Sequence, residues 1–195
     1  MRLYLAPGAC SLADHIALHE AGIAFDRVRV DLKTHMTEDG RDYRTVNPKG
    51  YVPALVFDDG QVLTENVAIL SWIADRAPEL APDGDMGRYR LLEMLAYLST
   101  ELHKAFKPFF NPAADADAKA EAAKAIERRL EFLSQRLTGD YLFGREASVA
   151  DAYLFVMLTW AEKNGIPTAP PLPAYFERMK ARSAVRLALQ HEGLG

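Results

Sequence analysis

Residues 6–15 read APGACSLADH. Pro7 and Gly8 break a short apolar strand candidate at 2–5, and a helix opens at Ser11, so Cys10, the single cysteine of the chain, stands at a strand-to-helix seam. Leu12, Ile16 and Ala17 fall near one helical face, and Gly22 stops the helix as a C′ glycine would. Residues 26–30 then alternate polar residues with valine, the pattern of a half-buried strand. The stretch 31–50 is polar and carries both signs of charge. It reads as a loop with one irregular helical turn, and its length points to function. Residues 54–57, the turn Asp58-Asp59-Gly60 and residues 61–63 predict a hairpin, and a helix runs from near Glu65 to about Arg76. The first segment is therefore β-α-β-loop-β-β-α.

Residues 77–85, APELAPDGD, have the composition of an exposed connector. Beyond them the periodicity is helical only, over 86–107, 113–137, 149–163 and 172–190, with Pro112, Gly139, Gly144, Gly165 and a proline-rich stretch from Pro167 to Pro173 between. The expected organisation is an α/β domain at 1–76, a linker at 77–85 and an all-α domain at 86–195. A chain of 195 residues with 49% hydrophobic and 26% charged residues buries a proper core. No apolar run approaches the ~18–20 residues of a membrane span. The N-terminus lacks the apolar stretch of a secretory signal, which predicts a cytoplasmic protein. The net charge of −4, with no long basic block, argues against a nucleic-acid surface. A small-molecule substrate or a protein partner is the expectation.

With a cysteine at the start of the first helix and Val52-Pro53 just before the hairpin, the first segment resembles a thioredoxin fold. The whole chain resembles the glutathione transferases, and among them the bacterial beta class. PGACSL at 7–12, NPKGYVPAL at 47–55, LTENVAI at 63–69, ELHKAF at 101–106 and SVADAYLF at 148–155 carry that likeness, in family order and spacing. It implies a thioredoxin-like glutathione-binding domain followed by a helical bundle that lines the hydrophobic-substrate side. It also implies a homodimer, detoxifying conjugation of glutathione to small electrophiles, and glutathione as co-substrate with no further cofactor. A noncatalytic glutathione- or ligand-binding member that regulates a partner, as transferase-like stringent starvation proteins do, is the alternative. The joint presence of Cys10, Glu65 and His103 favours catalysis.

Physical chemistry gives each site residue two readings. At a helix N-terminus, unpaired N–H groups and the macrodipole favour a thiolate, which predicts that the Cys10 pKa falls below about 8.5. A small buried apolar residue is the plainer alternative. Residue 13 is Ala, so there is no C-x-x-C pair and any disulfide chemistry needs an external thiol. The resemblance places Cys10 beside the glutathione sulfur, where a mixed disulfide forms and disulfide exchange becomes possible. Ser11 is either a helix N-cap or a second catalytic candidate. Tyr4, inside the first strand, reads as core or interface.

A cis Val52-Pro53 bond, which the thioredoxin likeness implies, exposes the Val52 backbone to pair with the cysteinyl unit of glutathione as strands pair; a turn proline is the alternative. Glu65 and Asn66 stand at a helix start suited to the γ-glutamyl carboxylate, whereas an ordinary start would have Thr64 as its cap. Family members have a hydroxyl residue where this chain has Asn66. Glu101 and Lys104 make an i,i+3 pair worth about 0.2–0.5 kcal/mol if only a surface ion pair. The resemblance instead brings His103 to glutathione near its sulfur and Glu101 to the ligand of the neighbouring subunit. An imidazole there donates a hydrogen bond to the thiolate and relays protons.

Some relatives carry Asn where this chain has Ala96, and His35 falls where relatives often have a lysine facing the glycyl carboxylate. Phe106, Phe109, Phe110 and Trp160 are candidate walls for the apolar substrate, and each serves equally as core. His15 and His19 share a helical face, but no third ligand at suitable spacing is visible in the sequence. Surface histidines are the default and no metal is expected. Ser148 and Asp151 read as a capping box before an almost wholly apolar, buried helix.

Overall fold

The computed structural model describes residues 1–137 and 139–195. Strand β1 (Arg2–Leu5) lies at the centre of a five-stranded mixed sheet, because its alternating side chains serve both faces. Leu3 and Leu5 join the main core, while Tyr4 and Ala6 join a smaller one on the opposite face. The sheet order is β3-β2-β1-β4-β5, with β2 at Asp26–Asp31, β3 at Met36–Thr37, β4 at Ala54–Val56 and β5 at Val62–Thr64. β1 runs parallel to β2 and antiparallel to β4, so Tyr4 faces Val28 on one side and Ala54 on the other.

Helix α1 (Leu12–Glu20) and helix α2 (Asn66–Ala74) complete the thioredoxin-like unit. The segment 31–50 folds back over the smaller core with β3 and a 3₁₀ turn at Tyr43–Thr45. Tyr43 is fully buried there and packs on Tyr4 at 5.5 Å, so Tyr4 is a core residue.

Helix α3 (Gly87–Tyr97) continues into a π-helical turn at Leu98–His103. Helix α4 (Lys107–Phe110) is short, and α5 (Ala116–Arg136) is the longest helix. Helix α6 (Val149–Lys163) is buried along most of its length and carries the expected capping box. Asp151 Oδ2 accepts from the Ser148 N–H at 2.8 Å and from the Ser148 hydroxyl at 2.7 Å. The single helix expected over 172–190 is two, α7 (Leu172–Lys180) and α8 (Ser183–Glu192). Arg182, at the break between them, is extended, and its guanidinium holds Glu20 at the end of α1 with bonds of 2.6 and 2.8 Å.

Helix α1 packs on both α6 and α8, so one continuous core joins the sheet unit to the helices. Among the described residues, no helix is long and apolar enough to cross a membrane.

Candidate functional site

A cleft of about 650 Å³ opens where the β1–α1 turn, the loop before β4 and the π-helical turn meet. Its walls bring together Cys10, Val52, Glu65, His103, Lys104, Phe110 and Trp160, residues singled out from both halves of the sequence. A π-helical turn places Ser99, His103 and Lys104 along this wall, a feature frequent at functional sites.

Cys10 keeps part of its surface in the cleft, yet its sulfur is packed and donates to the Val52 carbonyl at 3.5 Å. Burial, helped by the Asp14 carboxyl behind it, pushes the thiol pKa up to about 12. This reverses the expected activation. The helix N-terminus favours the thiolate, but desolvation disfavours any charge at this depth and outweighs it. Asp14 is itself fully buried, and burial drives its pKa well above the carboxylate range.

Ser11 is a correction too. It is 0% exposed, and its hydroxyl accepts from the Ala6 N–H at 3.2 Å and faces the Ala6 carbonyl at 3.4 Å, so it closes the β1–α1 turn and makes no side-chain capping bond among the described residues. Asn66 likewise turns inward. Its amide donates to the Cys10 carbonyl at 2.8 Å and to Asp14 at 3.2 Å, so the side chain tied to the γ-glutamyl carboxylate in the sequence reading ties α2 to α1 instead.

Val52-Pro53 is cis and both residues are buried, with the Val52 backbone at the cleft floor. Glu65, not Thr64, occupies the position before α2, with φ at 76° and ψ at 126°. Such a backbone costs roughly 1–3 kcal/mol for a residue with a side chain and is concentrated at functional sites. The Glu65 carboxylate accepts from Lys49 and, at 3.0 Å, from the Tyr51 hydroxyl; the Lys49 bond holds its pKa below the ordinary value. Lys49 and Tyr51 were missed as individuals, although both lie inside NPKGYVPAL. Their signal was a cation and a phenol next to the proline.

On the helical side, the His103 Nδ1 lies 2.7 Å from the Tyr153 hydroxyl and its ring meets Trp160 edge-on at 5.0 Å. Burial, with Lys104 adding to it, lowers the His103 pKa to about 4, so the imidazole is neutral. Trp160 donates through Nε1 to the Gly8 carbonyl at 2.8 Å and thereby fixes the cleft's far wall. Lys163, also unforeseen, adds a second cation to the cleft lining, with Lys104 the first.

The other candidates stand elsewhere. Glu101 is exposed and bonds Arg129 at 2.9 Å, replacing the Lys104 pair that sequence spacing suggested. His35, with φ at 57°, turns its ring onto the Gly50 carbonyl at 3.0 Å, away from the cleft walls. Phe106 is fully buried, a core residue behind Trp160 and not a substrate wall. Phe109 lines a second cavity of about 390 Å³, which shares Gly8, Phe110, Trp160 and Lys163 with the first.

Known proteins match along the whole chain. The families described as "Glutathione S-transferase, N-terminal domain" and "Glutathione S-transferase, C-terminal domain" match residues 9–76 and 97–183. Glutathione S-transferase GstA of Escherichia coli O157:H7 is 43% identical over 100% of both chains. A sphingomonad glutathione S-transferase complexed with glutathione is 50% identical with a TM-score of 0.94, covering 100% of both chains. A bacterial beta class glutathione S-transferase of Sphingomonas chungbukensis matches equally, at 50% identity, TM-score 0.94 and full coverage of both.

Proposed function

We propose, from the premise that this chain belongs to the glutathione S-transferase family and to its bacterial beta class, that the cleft binds glutathione and presents its sulfur to a small electrophile. The chain is a glutathione transferase, with glutathione as co-substrate. One observation carries the assignment of the site: a single cleft holds the Val52 backbone, Cys10, His103 and the Glu65 rim together with an apolar wall.

In this reading the cysteinyl backbone of glutathione pairs with Val52 like an added strand. Its carboxylates meet Lys104, Lys163 and the start of α2, and its ammonium meets Glu65. The buried Tyr153 phenol, whose pKa burial raises, keeps its proton and donates to His103 Nδ1. The ring proton then resides on Nε2, free to bond the glutathione thiolate. The glutathione thiol releases its proton to solvent as the thiolate settles on its donors; the thiolate forms the new C–S bond, and the leaving group departs with the electron pair of the bond that breaks. Cys10, a neutral thiol at neutral pH, turns its S–H from the Val52 carbonyl to that thiolate, which frees the carbonyl for the cysteinyl N–H of glutathione. Disulfide exchange through Cys10 is the slower reaction, because its own thiolate is scarce.

The apolar part of the electrophile packs on Phe110, Trp160 and Phe109. Glu101 lies outside the cleft of its own chain, so its role requires a second copy: the functional unit is a homodimer in which Glu101 exchanges Arg129 for the ligand of its neighbour. Two domains, 1–76 and 86–195 joined by 77–85, carry the two halves of the site. One free cysteine suits the reducing cytoplasm.

Calorimetry tests the reading directly. Glutathione binds the folded wild type, and an aryl halide assay shows conjugation. His103→Ala lowers kcat by about 10–100-fold, the loss of one hydrogen bond to a charged group worth about 1.5–3 kcal/mol, with little change in glutathione affinity. Absence of heat at millimolar glutathione, with folding verified, removes the proposed site.

A further inference from the structure

On the far side of α1 from the cleft, His15, His19 and His191 bring one ring nitrogen each to within 4.8 Å of one another. His15 and His19 are on adjacent turns of α1, and α8, packed on α1, delivers His191; the ring centroids lie 5.0, 5.7 and 5.4 Å apart. The expectation of surface histidines fails here, since His15 is 0% exposed. The third ligand missing from local spacing comes from the other end of the chain.

Three observations point to a ligand. His15 Nε2, His19 Nε2 and His191 Nδ1 are buried nitrogens with no hydrogen-bond partner among the described residues. A neutral imidazole has one nitrogen that can offer a lone pair, and here three ring nitrogens without partners stand in one place. His15 Nδ1 is bonded at 2.8 Å to Glu192, itself almost fully buried, whose other oxygen accepts from the Gly8 N–H at 2.8 Å. A carboxylate on Nδ1 places the proton there and leaves Nε2 bare, the arrangement that orients metal-bound histidines. Lastly, a cavity of about 400 Å³ reaches His15 and His191 from the surface, while Phe25 closes the apolar side against His15 and His19. The cavity sets the carboxylates of Asp26, Glu38 and Glu192 against the guanidiniums of Arg27 and Arg29. Arg29 is drawn aside to the His191 carbonyl at 2.6 Å.

We propose that His15 Nε2, His19 Nε2 and His191 Nδ1 form a binding site for a divalent transition metal ion of the zinc, copper or nickel type. Imidazole suits these ions, and three histidines leave a fourth position for water. Zn–N bonds of about 2.0–2.1 Å require nitrogens about 3.3 Å apart in tetrahedral geometry, so small rotations of the half-buried His19 and His191 close the set around the fixed His15. Through Glu192 and Gly8 the site is joined to the wall of the cleft, since the Gly8 carbonyl accepts from Trp160.

The test uses tag-free full-length protein titrated with Zn²⁺ in competition with a chromophoric chelator, and with Co²⁺ by visible absorption. One ion per chain, ligand-field bands without a thiolate charge-transfer band, and a rise in Tm with Zn²⁺ are expected. His19→Ala and His191→Ala each weaken binding at least tenfold, Glu192→Gln weakens it about 10–100-fold, and His35→Ala leaves it unchanged. His15 itself is left intact, because its burial makes loss of folding a competing outcome. Failure of the wild type to bind Zn²⁺ overturns the site, as does an affinity indifferent to both His19→Ala and His191→Ala. A cobalt spectrum showing thiolate ligation, lost in Cys10→Ser, overturns it as well by placing the ion in the cleft.

Discussion

The rim and the floor of the cleft handle charge in opposite ways. At the rim, Lys49, Tyr51 and Glu65 are exposed, and pairing stabilises both ions: Glu65 below its ordinary pKa and Lys49 above. At the floor, burial removes charge. It raises the Cys10 thiol to about 12 and lowers His103 to about 4, so both are neutral near pH 7, and it drives the Asp14 carboxyl behind Cys10 well above its ordinary value. A hydrated rim can exchange one ionic partner for another at little cost. A neutral floor leaves a bound thiolate as its only net charge, facing donors already in place.

The largest effect expected from this contrast lies in the reactivity of Cys10. For a thiol pKa near 12, the thiolate fraction rises tenfold per pH unit, so alkylation by iodoacetamide accelerates by roughly three orders of magnitude between about pH 7 and pH 10. Rates by intact-mass spectrometry, with the fold checked by circular dichroism, decide it. A plateau near pH 8.5, as for a free thiol, breaks the contrast by making the floor as hydrated as the rim.

A smaller but substantial effect belongs to Asn66→Ala. It leaves the buried Asp14 carboxyl without its side-chain donor and removes one donor from the Cys10 carbonyl, which keeps the Ala13 N–H, at a cost of about 1–3 kcal/mol in unfolding free energy measured in urea. A neutral result means that water replaces the amide and that the floor is not closed.

The smallest effect is at the rim. Lys49→Ala shifts the KM for glutathione by less than about fivefold, because exposed ion pairs contribute about 0–1 kcal/mol, and the shift shrinks with added salt. A salt-insensitive loss well beyond tenfold moves Lys49 from rim to floor.

Much of this was legible beforehand for identifiable reasons. Pro7-Gly8, Gly22 and Asp58-Asp59-Gly60 punctuate the first unit strongly, and the polar–valine alternation of β2 specifies its buried face. Ser148 and Asp151 announced the start of α6 because a capping box is local. The break at Arg182 was not legible, because periodicity runs on through 172–190 and the interruption depends on Glu20, far away in the sequence. Motif likeness found the residues of the cleft but not their directions. Ser11, Asn66 and Phe106 have the right positions, yet all three face the interior.

By itself the sequence determined the order of elements, the seam that carries Cys10 and the family, since each depends on residues close together in the chain. Only the tertiary structure decided protonation, direction and distant partnership. Cys10 is a neutral thiol because the folded interior withholds water from it, and Glu101 pairs with Arg129 because α5 passes beside the π-helical turn. His15 meets Glu192, 177 residues along the chain, and His191 next to it, because α8 returns to pack on α1. Desolvation and long-range contact depend on what surrounds a residue in space, which no local spacing records.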